Sequence, residues 1–398
     1  MTAAPRSPRA AGSGTRPALI PLQRFASRLR VGSPLPFNVR DAQGELLLAR
    51  GQAVADEATR QSLLAHGVGI DAEELREVQA RLDVNKNAAA VPAPATDTFF
   101  EHWQNLQARL RSLLRDPMEF AFLQRVRECA AMVINLTEVN PDRLIFAVMR
   151  HDHSRYANYG SAHALHVASL CCLLARRSDW PQERLMSLVG AALTMNLSII
   201  ELQGMLAVRG GILSTAQRRS IDKHPTESGA LLRQAGLDDE DWLTAVEQHH
   251  EDAQGTGYPA RIQNPTELAE LLRFVDIFLA KHAGRADRGA VPPQQAARDL
   301  YMASSGHPVA AMLIKEIGIF PPGCYVKLAN GEVAVVVRRG AHASMPLVCA
   351  IANAKGDPLP MPQRRDTADA AYAITGSLAD KAVKVQVQAD RLYSIAMA

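Results

Sequence analysis

The chain is most informative between His249 and Pro259, which reads His249-His250-Glu251-Asp252-Ala253-Gln254-Gly255-Thr256-Gly257-Tyr258-Pro259. Two adjacent imidazoles and a carboxylate precede a segment with two glycines and a Tyr-Pro pair. Glycine tolerates tight turns and close backbone approach, and Tyr-Pro favours a turn. The loop therefore brings main chain and a phenol close to whatever the histidines hold. Upstream, His249 shares a helical face with Trp242 and Val246, so the spacing predicts that it points inward.

Working outward, other histidines fall where a helical protein would bury them. His163 lies on a predicted helix over 162–177 and shares a face with Val167, Leu170 and Leu174. Ser214 followed by Gln217 forms a capping-box pattern and predicts a helix that ends near His224. Asp276 sits in the apolar stretch 271–280. Burying several imidazoles and a carboxylate is costly unless they are paired or hold a metal. A single buried histidine is ordinarily a satisfied core residue, but His163, His224, His249, His250 and Asp276 together point to a site.

The surrounding pattern gives a mainly α fold with small mixed flanks. Residues 1–27 are rich in Ala, Pro, Gly, Ser and Arg, with no acidic residue before Asp41. This composition reads as a disordered tail; a transit peptide is the competing reading, and the continuous apolar core of a secretory signal is missing. Residues 28–76 form a small α/β module: β-prone pieces flank the turn at Asp41–Gly44, and Asp56 is placed to cap a short helix. The Ala/Pro-rich segment 77–98 reads as a linker. Helical patterning fills 99–320, with Pro181 near the start of one helix. From 321 to 398 the period changes to that of a small β domain, beginning with strands at 325–328 and 332–337 joined by Asn330-Gly331, both of which accept positive φ.

Composition excludes some classes. With 47% apolar and 21% charged residues the chain can bury a sizeable core, and its net charge of +3 is too small to argue for a nucleic-acid polymer or a membrane surface. No apolar run reaches the roughly 18 residues of a spanning helix. The five cysteines show no CxxC spacing, which fits reduced, buried thiols in a cytoplasmic protein.

The pattern His-His-Glu-x-x-x-Gly-x-Gly-Tyr-Pro resembles the signature of HD-GYP domains. The resemblance runs over residues 145–330 in order and spacing. His163-Ala-Leu-His166-Val167 is similar to the family's opening His-x-x-Arg-Val, with His166 in place of Arg. Gly211-Ile-Leu-Ser-Thr through His224-Pro225 matches a second segment, and Asp276 with Arg285 a third. The resemblance implies an HD-superfamily helical bundle holding two or three metal ions, usually iron or manganese, that hydrolyses cyclic di-GMP. It makes His163, His224, His249, His250 and Asp276 the metal ligands. Tyr258 and Arg285 become nucleotide contacts, with Arg288 at a nearby basic position.

One segment departs from the family. Where a motif like Ala-Ala-Leu-Leu-His-Asp-Ile-Gly-Lys is expected, this chain has Ala191-Ala-Leu-Thr-Met195-Asn196-Leu-Ser-Ile199. Met195 stands for the namesake histidine, Asn196 for the bridging aspartate and Ile199 for a lysine. A neutral amide cannot hold two divalent cations close together, and a thioether suits Mn²⁺ or Fe²⁺ poorly. The literal His151-Asp152 pair precedes the His163 helix and by chain order cannot fill that place. What remains is a three-histidine set for one divalent ion, iron, manganese or zinc. Three readings follow: a degenerate receptor or regulator that binds cyclic di-GMP, a residual metal-dependent phosphodiesterase, or a scaffold for a partner such as a diguanylate cyclase.

Overall fold

The computed structural model describes residues 19–23, 29, 31–32, 35, 37–43, 46–49, 52–65, 68–71, 98–119, 121–150, 158–284 and 289–397. They fall into two compact units, residues 1–96 and 97–398. In the first unit, strands β1 (Leu19–Pro21), β2 (Val39–Arg40), β3 (Leu46–Leu48) and β4 (Gly69–Asp71) pair in the order β1-β4-β2-β3. Helix α1 (Glu57–Ala65) begins where Asp56 Oδ1 accepts the Thr59 N–H at 2.7 Å, the expected cap. Phe37, Val39, Val54 and Ile70 form its core.

The second unit is built around α5 (Tyr159–Arg177), a helix buried on almost every side. Its sequence alternates small residues with leucines, which lets neighbours approach from all directions. Ser169 returns its hydroxyl to the Leu165 carbonyl at 2.8 Å, so its polar group is satisfied within the helix. Around it pack α2 (Phe99–Leu113), α3 (Phe122–Val139), α4 (Pro141–Met149), α6 (Gln182–Thr194), α7 (Ile200–Arg209) and α10 (Glu267–His282). Helix α9 (Glu240–Gln248) closes against α6, α8 (Thr215–Gln234) packs on α9 and on the turn at 197–199, and α11 (Pro293–Ala303) and α12 (Pro308–Ile317) follow α10.

The α6–α9 contact aligns the pieces of the site. Gly190 leaves room for the Trp242 ring, which a β-carbon there would meet at 2.4 Å. The indole N–H donates to Thr194 Oγ1 at 2.8 Å, and that hydroxyl donates to the Gly190 carbonyl. Contrary to the expectation that no apolar run is long enough, Gln182–Arg209 could cross a membrane by length and composition, yet 72% of its apolar window is buried inside the bundle. A 3₁₀ turn at Leu197–Ile199 breaks it.

The C-terminal sheet, β5 (Tyr325–Leu328), β6 (Val333–Arg338), β7 (Leu347–Ala352), β8 (Pro358–Asp366) and β9 (Ile374–Leu378), is antiparallel with the order β8-β7-β6-β5-β9. Strand periodicity divides its residues between two cores. Tyr325, Val335, Val337, Cys349 and Ile351 join the bundle's core, while Val326, Ala334, Val336, Val348 and Ala350 form a smaller cluster. In the β5–β6 hairpin only Gly331 takes positive φ, at 86°, so the turn differs from the expected one with both central residues in that region. Helix α13 (Ala389–Met397) returns to the bundle. The buried Tyr393 packs there against Phe100 and Phe146, with ring centroids at 5.3 and 5.2 Å. All five cysteines are free and buried.

Candidate metal centre

The helix expected to end near His224 runs on to Gln234, straight through Pro225. A proline inside a helix removes the N–H that would bond the carbonyl four residues back, here that of Ile221. His224 fills the gap: its Nδ1 lies 2.6 Å from the Ile221 oxygen. The capping box of Ser214 and Gln217 is formed as expected. The carbonyl can only accept, so Nδ1 carries the proton and Nε2 is left with a lone pair.

His249 is fixed by a parallel device. It caps the C-terminus of α9, where the last carbonyls lack helical partners. Its Nδ1 lies 2.7 Å from the Val246 oxygen, again leaving Nε2 with the lone pair. The two Nε2 atoms face each other at 3.0 Å. With both protons committed to carbonyls, that approach has no hydrogen to share and is repulsive without a cation between or beside the rings. His250 adds a third imidazole, and ligand atoms of the three lie within 4.8 Å of one another. Burial, together with the neighbouring His249, lowers the pKa of His224 to about 3 and that of His250 well below the usual range. Burial likewise lowers that of His249. All three are therefore neutral at pH 7, the protonation state a metal requires of imidazole. The donor set fits a divalent ion.

The Gly-Tyr-Pro loop is held by the residue after the histidines. Glu251 is fully buried and accepts three backbone N–H groups, from Ala260 at 2.7 Å and from Arg261 and Ile262 at 3.1 Å. Asp252 accepts the N–H and hydroxyl of Thr256 and lies 3.7 Å from Arg273. A β-carbon on Gly257 would stand 2.4 Å from the His250 carbonyl, so only glycine fits. The Tyr258 ring stacks on His250 at 4.5 Å.

Across the site, His163 Nε2 lies 2.6 Å from Asp276 Oδ1. Burial by itself would raise the Asp276 pKa; the His163 hydrogen bond and the neighbouring imidazoles outweigh it and hold the carboxyl well below its usual range. An ionised carboxylate only accepts, so His163 donates. The Tyr159 ring stacks on His163 at 5.4 Å.

One cavity of about 280 Å³ is lined by His163, Asn196, Ile199, His224, His250, Tyr258 and Asp276. His249 lies fully buried behind its two neighbours. Asn196 is brought there by the turn after α6, which Ser198 ties to the His224 carbonyl and to Ser228. Met195, fully buried in the apolar core, is absent from the cavity wall. His166 faces elsewhere and stacks on Trp103 with centroids 5.9 Å apart. Arg285, Arg288 and the His151-Asp152 pair lie outside the described residues.

Three lining or neighbouring residues were missed in the sequence. Tyr159, one turn before His163, could have been found from its i, i+4 spacing. Gln203 lies on the same face of α7 as Leu202 and Leu206, and no local signal marks it. Arg273 meets the loop at Asp252, a contact across the fold.

Residues 129–307 match the HD domain family model, and that span contains the three histidines, Asp276 and the whole Gly-Tyr-Pro loop. The helical unit is an HD domain of the HD-GYP kind. The HD-GYP chain is similar to the cyclic di-GMP phosphodiesterase PA4108 of Pseudomonas aeruginosa, with 22% identity over 341 residues covering 81% of this chain and 80% of that one. It also resembles the solved structure of Bd1817, an HDG"Y"P protein of Bdellovibrio bacteriovorus, at 19% identity and a TM-score of 0.47, over 72% of this chain and 95% of that one.

Proposed function

We propose that this HD-GYP protein acts as a receptor or regulator in cyclic di-GMP signalling, with its phosphodiesterase activity impaired or lost. The observation that carries this reading is the cavity wall. Among the described lining residues Asp276 is the only carboxylate, and it is engaged by His163; Asn196, which the family resemblance aligns with the bridging aspartate, offers the same wall a neutral amide. Two-metal hydrolysis needs such a bridge to fix the ions at a short separation. His224, His249 and His250 would hold one divalent ion, of iron, manganese or zinc. When bound, that ion would neutralise phosphate charge and lower the pKa of a coordinated water.

The chain's own groups then divide the work. The carbonyls of Ile221 and Val246 orient two imidazoles. Asp276 keeps a negative charge beside the histidines. Tyr258, its pKa raised by burial and by the charge of Asp276, remains a neutral hydrogen-bond donor at the wall. Ligand identity comes from the Pseudomonas relative's named substrate; Arg285 and Arg288 are proposed as further phosphate contacts.

Calorimetric titration with cyclic di-GMP, with and without Mn²⁺, tests the receptor. Saturable heat with no linear dinucleotide formed is the expected result, and no heat in either condition removes it. Restoring Met195→His with Asn196→Asp should bring hydrolysis back. The convergence of three Nε2-donor imidazoles supports a second reading, a slow single-ion phosphodiesterase. That reading requires linear dinucleotide from the unaltered protein and its disappearance in His249→Ala. A cytoplasmic site of action is part of the proposal.

A further inference from the structure

Helix α7 lines two cavities. Leu202 and Gln203 face the histidines, whereas Glu201, Gly204, Met205 and Val208, spaced i, i+3, i+4, i+7, face a second space of about 580 Å³, and Leu206 lines both. The far wall is Arg111 and Arg115 at the C-terminal end of α2, with Gly160 and Ser161 from the start of α5. Gly160 permits the close crossing of α5 and α7, since a β-carbon there would lie 2.6 Å from the Ile200 carbonyl.

The chemistry of this second cavity is two-sided. Its floor exposes large apolar groups to water, Met205 at 60% and Val208 at 53%. Three arginines line it, Arg111, Arg115 and Arg209, against the single acidic residue Glu201. Elsewhere on α2 and α5 arginines are ion-paired: Arg109 with Glu128 and Arg176 with Glu138. Among the described residues none of the three lining arginines has a carboxylate partner. A space of this volume suits a small organic molecule, and the guanidinium fork matches carboxylate and phosphate oxygens.

We propose that this cavity is a second ligand site that takes a small amphiphilic anion, its apolar body against Met205 and Val208 and its carboxylate or phosphate head among Arg111, Arg115 and Arg209. The proposal is independent of what the histidine cavity binds. Dodecanoate and dodecyl phosphate, titrated calorimetrically into the full chain below their micellar concentrations, should bind saturably at one site. Dodecanol and dodecyltrimethylammonium should bind at least about tenfold more weakly, because they lack the charge-assisted bonds. An Arg111→Gln, Arg209→Gln double variant should lose a similar factor, and Met205→Glu should lose binding while retaining the wild-type circular dichroism spectrum. Equal affinity for dodecanol, undiminished affinity in the folded double variant, or absence of saturable binding overturns the site. Attachment to phosphatidylglycerol vesicles without binding of monomeric dodecanoate also overturns it, and assigns the face to a membrane surface instead.

Discussion

Pro225 is the residue whose presence in a helix looks wrong and whose effect is most specific. By withholding its N–H it leaves the Ile221 carbonyl to His224. Pro225→Ala supplies a competing N–H, so the helix should gain stability while affinity for Mn²⁺ or Zn²⁺ falls about tenfold, the usual range for losing such an orienting partner. A chelator-competition titration beside a denaturant melt checks both directions; unchanged metal affinity would sink the orienting role. The histidines also set a pH dependence. Their pKa values are lowered in the folded state, for His224 from 6.5 to about 3, so below pH 6.5 the unfolded chain takes up protons that the folded chain refuses. Stability of the metal-free protein is thus full above pH 6.5 and declines on acidification. For His224 the expected slope approaches about 1.4 kcal/mol per pH unit through the range down to about pH 4, and His249 and His250 act in the same direction. Urea midpoints measured between pH 7.5 and 4.5 that stay flat would contradict it. At this scale the sequence was most legible where chemistry is local: His249 to Pro259 declared itself. The pairing of His163 with Asp276 did not, because periodicity says that each is buried and nothing about which partner lies across the fold.

Elements were legible to the extent that their signals are short-range. The capping box at Ser214, the Asp56 cap and the helix face of His163 all appear as read. The helix through His224 extends past the end that its sequence predicts, because proline ordinarily interrupts helices and no local pattern reveals the compensating imidazole. Within the Gly-Tyr-Pro loop, Glu251 emerged as the organising group that the motif contains but does not explain. Its carboxylate holds three main-chain N–H groups in a fully buried place. Glu251→Ala should cost about 3 kcal/mol or more, since three buried donors lose a charged acceptor at once. Denaturant unfolding measures the loss, and hydrogen exchange should show amides 260–262 opening first. A change below about 1 kcal/mol would mean that the loop is held by other contacts. Gly257→Ala should disturb the same loop by collision with the His250 carbonyl.

On the scale of the whole molecule, the sheet that reads as a separate module in sequence shares a core with the bundle in residues 97–398. Local alternation identifies strands such as β6; it cannot say that Val335 and Val337 face the helices while Ala334 and Val336 face a second cluster. Arg339 binds the two parts together, bonding Asp142 at 2.6 Å and Glu316 at 2.7 Å. Residues 97–398 should therefore unfold in one transition, and Tyr393→Ala should lower the stability of bundle and sheet together by about 3–5 kcal/mol. Far-ultraviolet dichroism, which reports the helices, and hydrogen-exchange protection of amides in β6 and β7 should be lost at the same denaturant concentration; separated transitions would show independent parts. The same tyrosine has a bearing on synthesis. Its hydroxyl bonds the Val337 carbonyl at 2.7 Å and approaches the Asp142 carbonyl, 251 residues earlier, at 3.4 Å. At roughly 5–20 residues per second a ribosome needs on the order of ten seconds or more to cover that distance. For most of that interval Phe100 and Phe146 have been made without the ring that covers them, so this part of the core stays open until the helix carrying Tyr393 is synthesised.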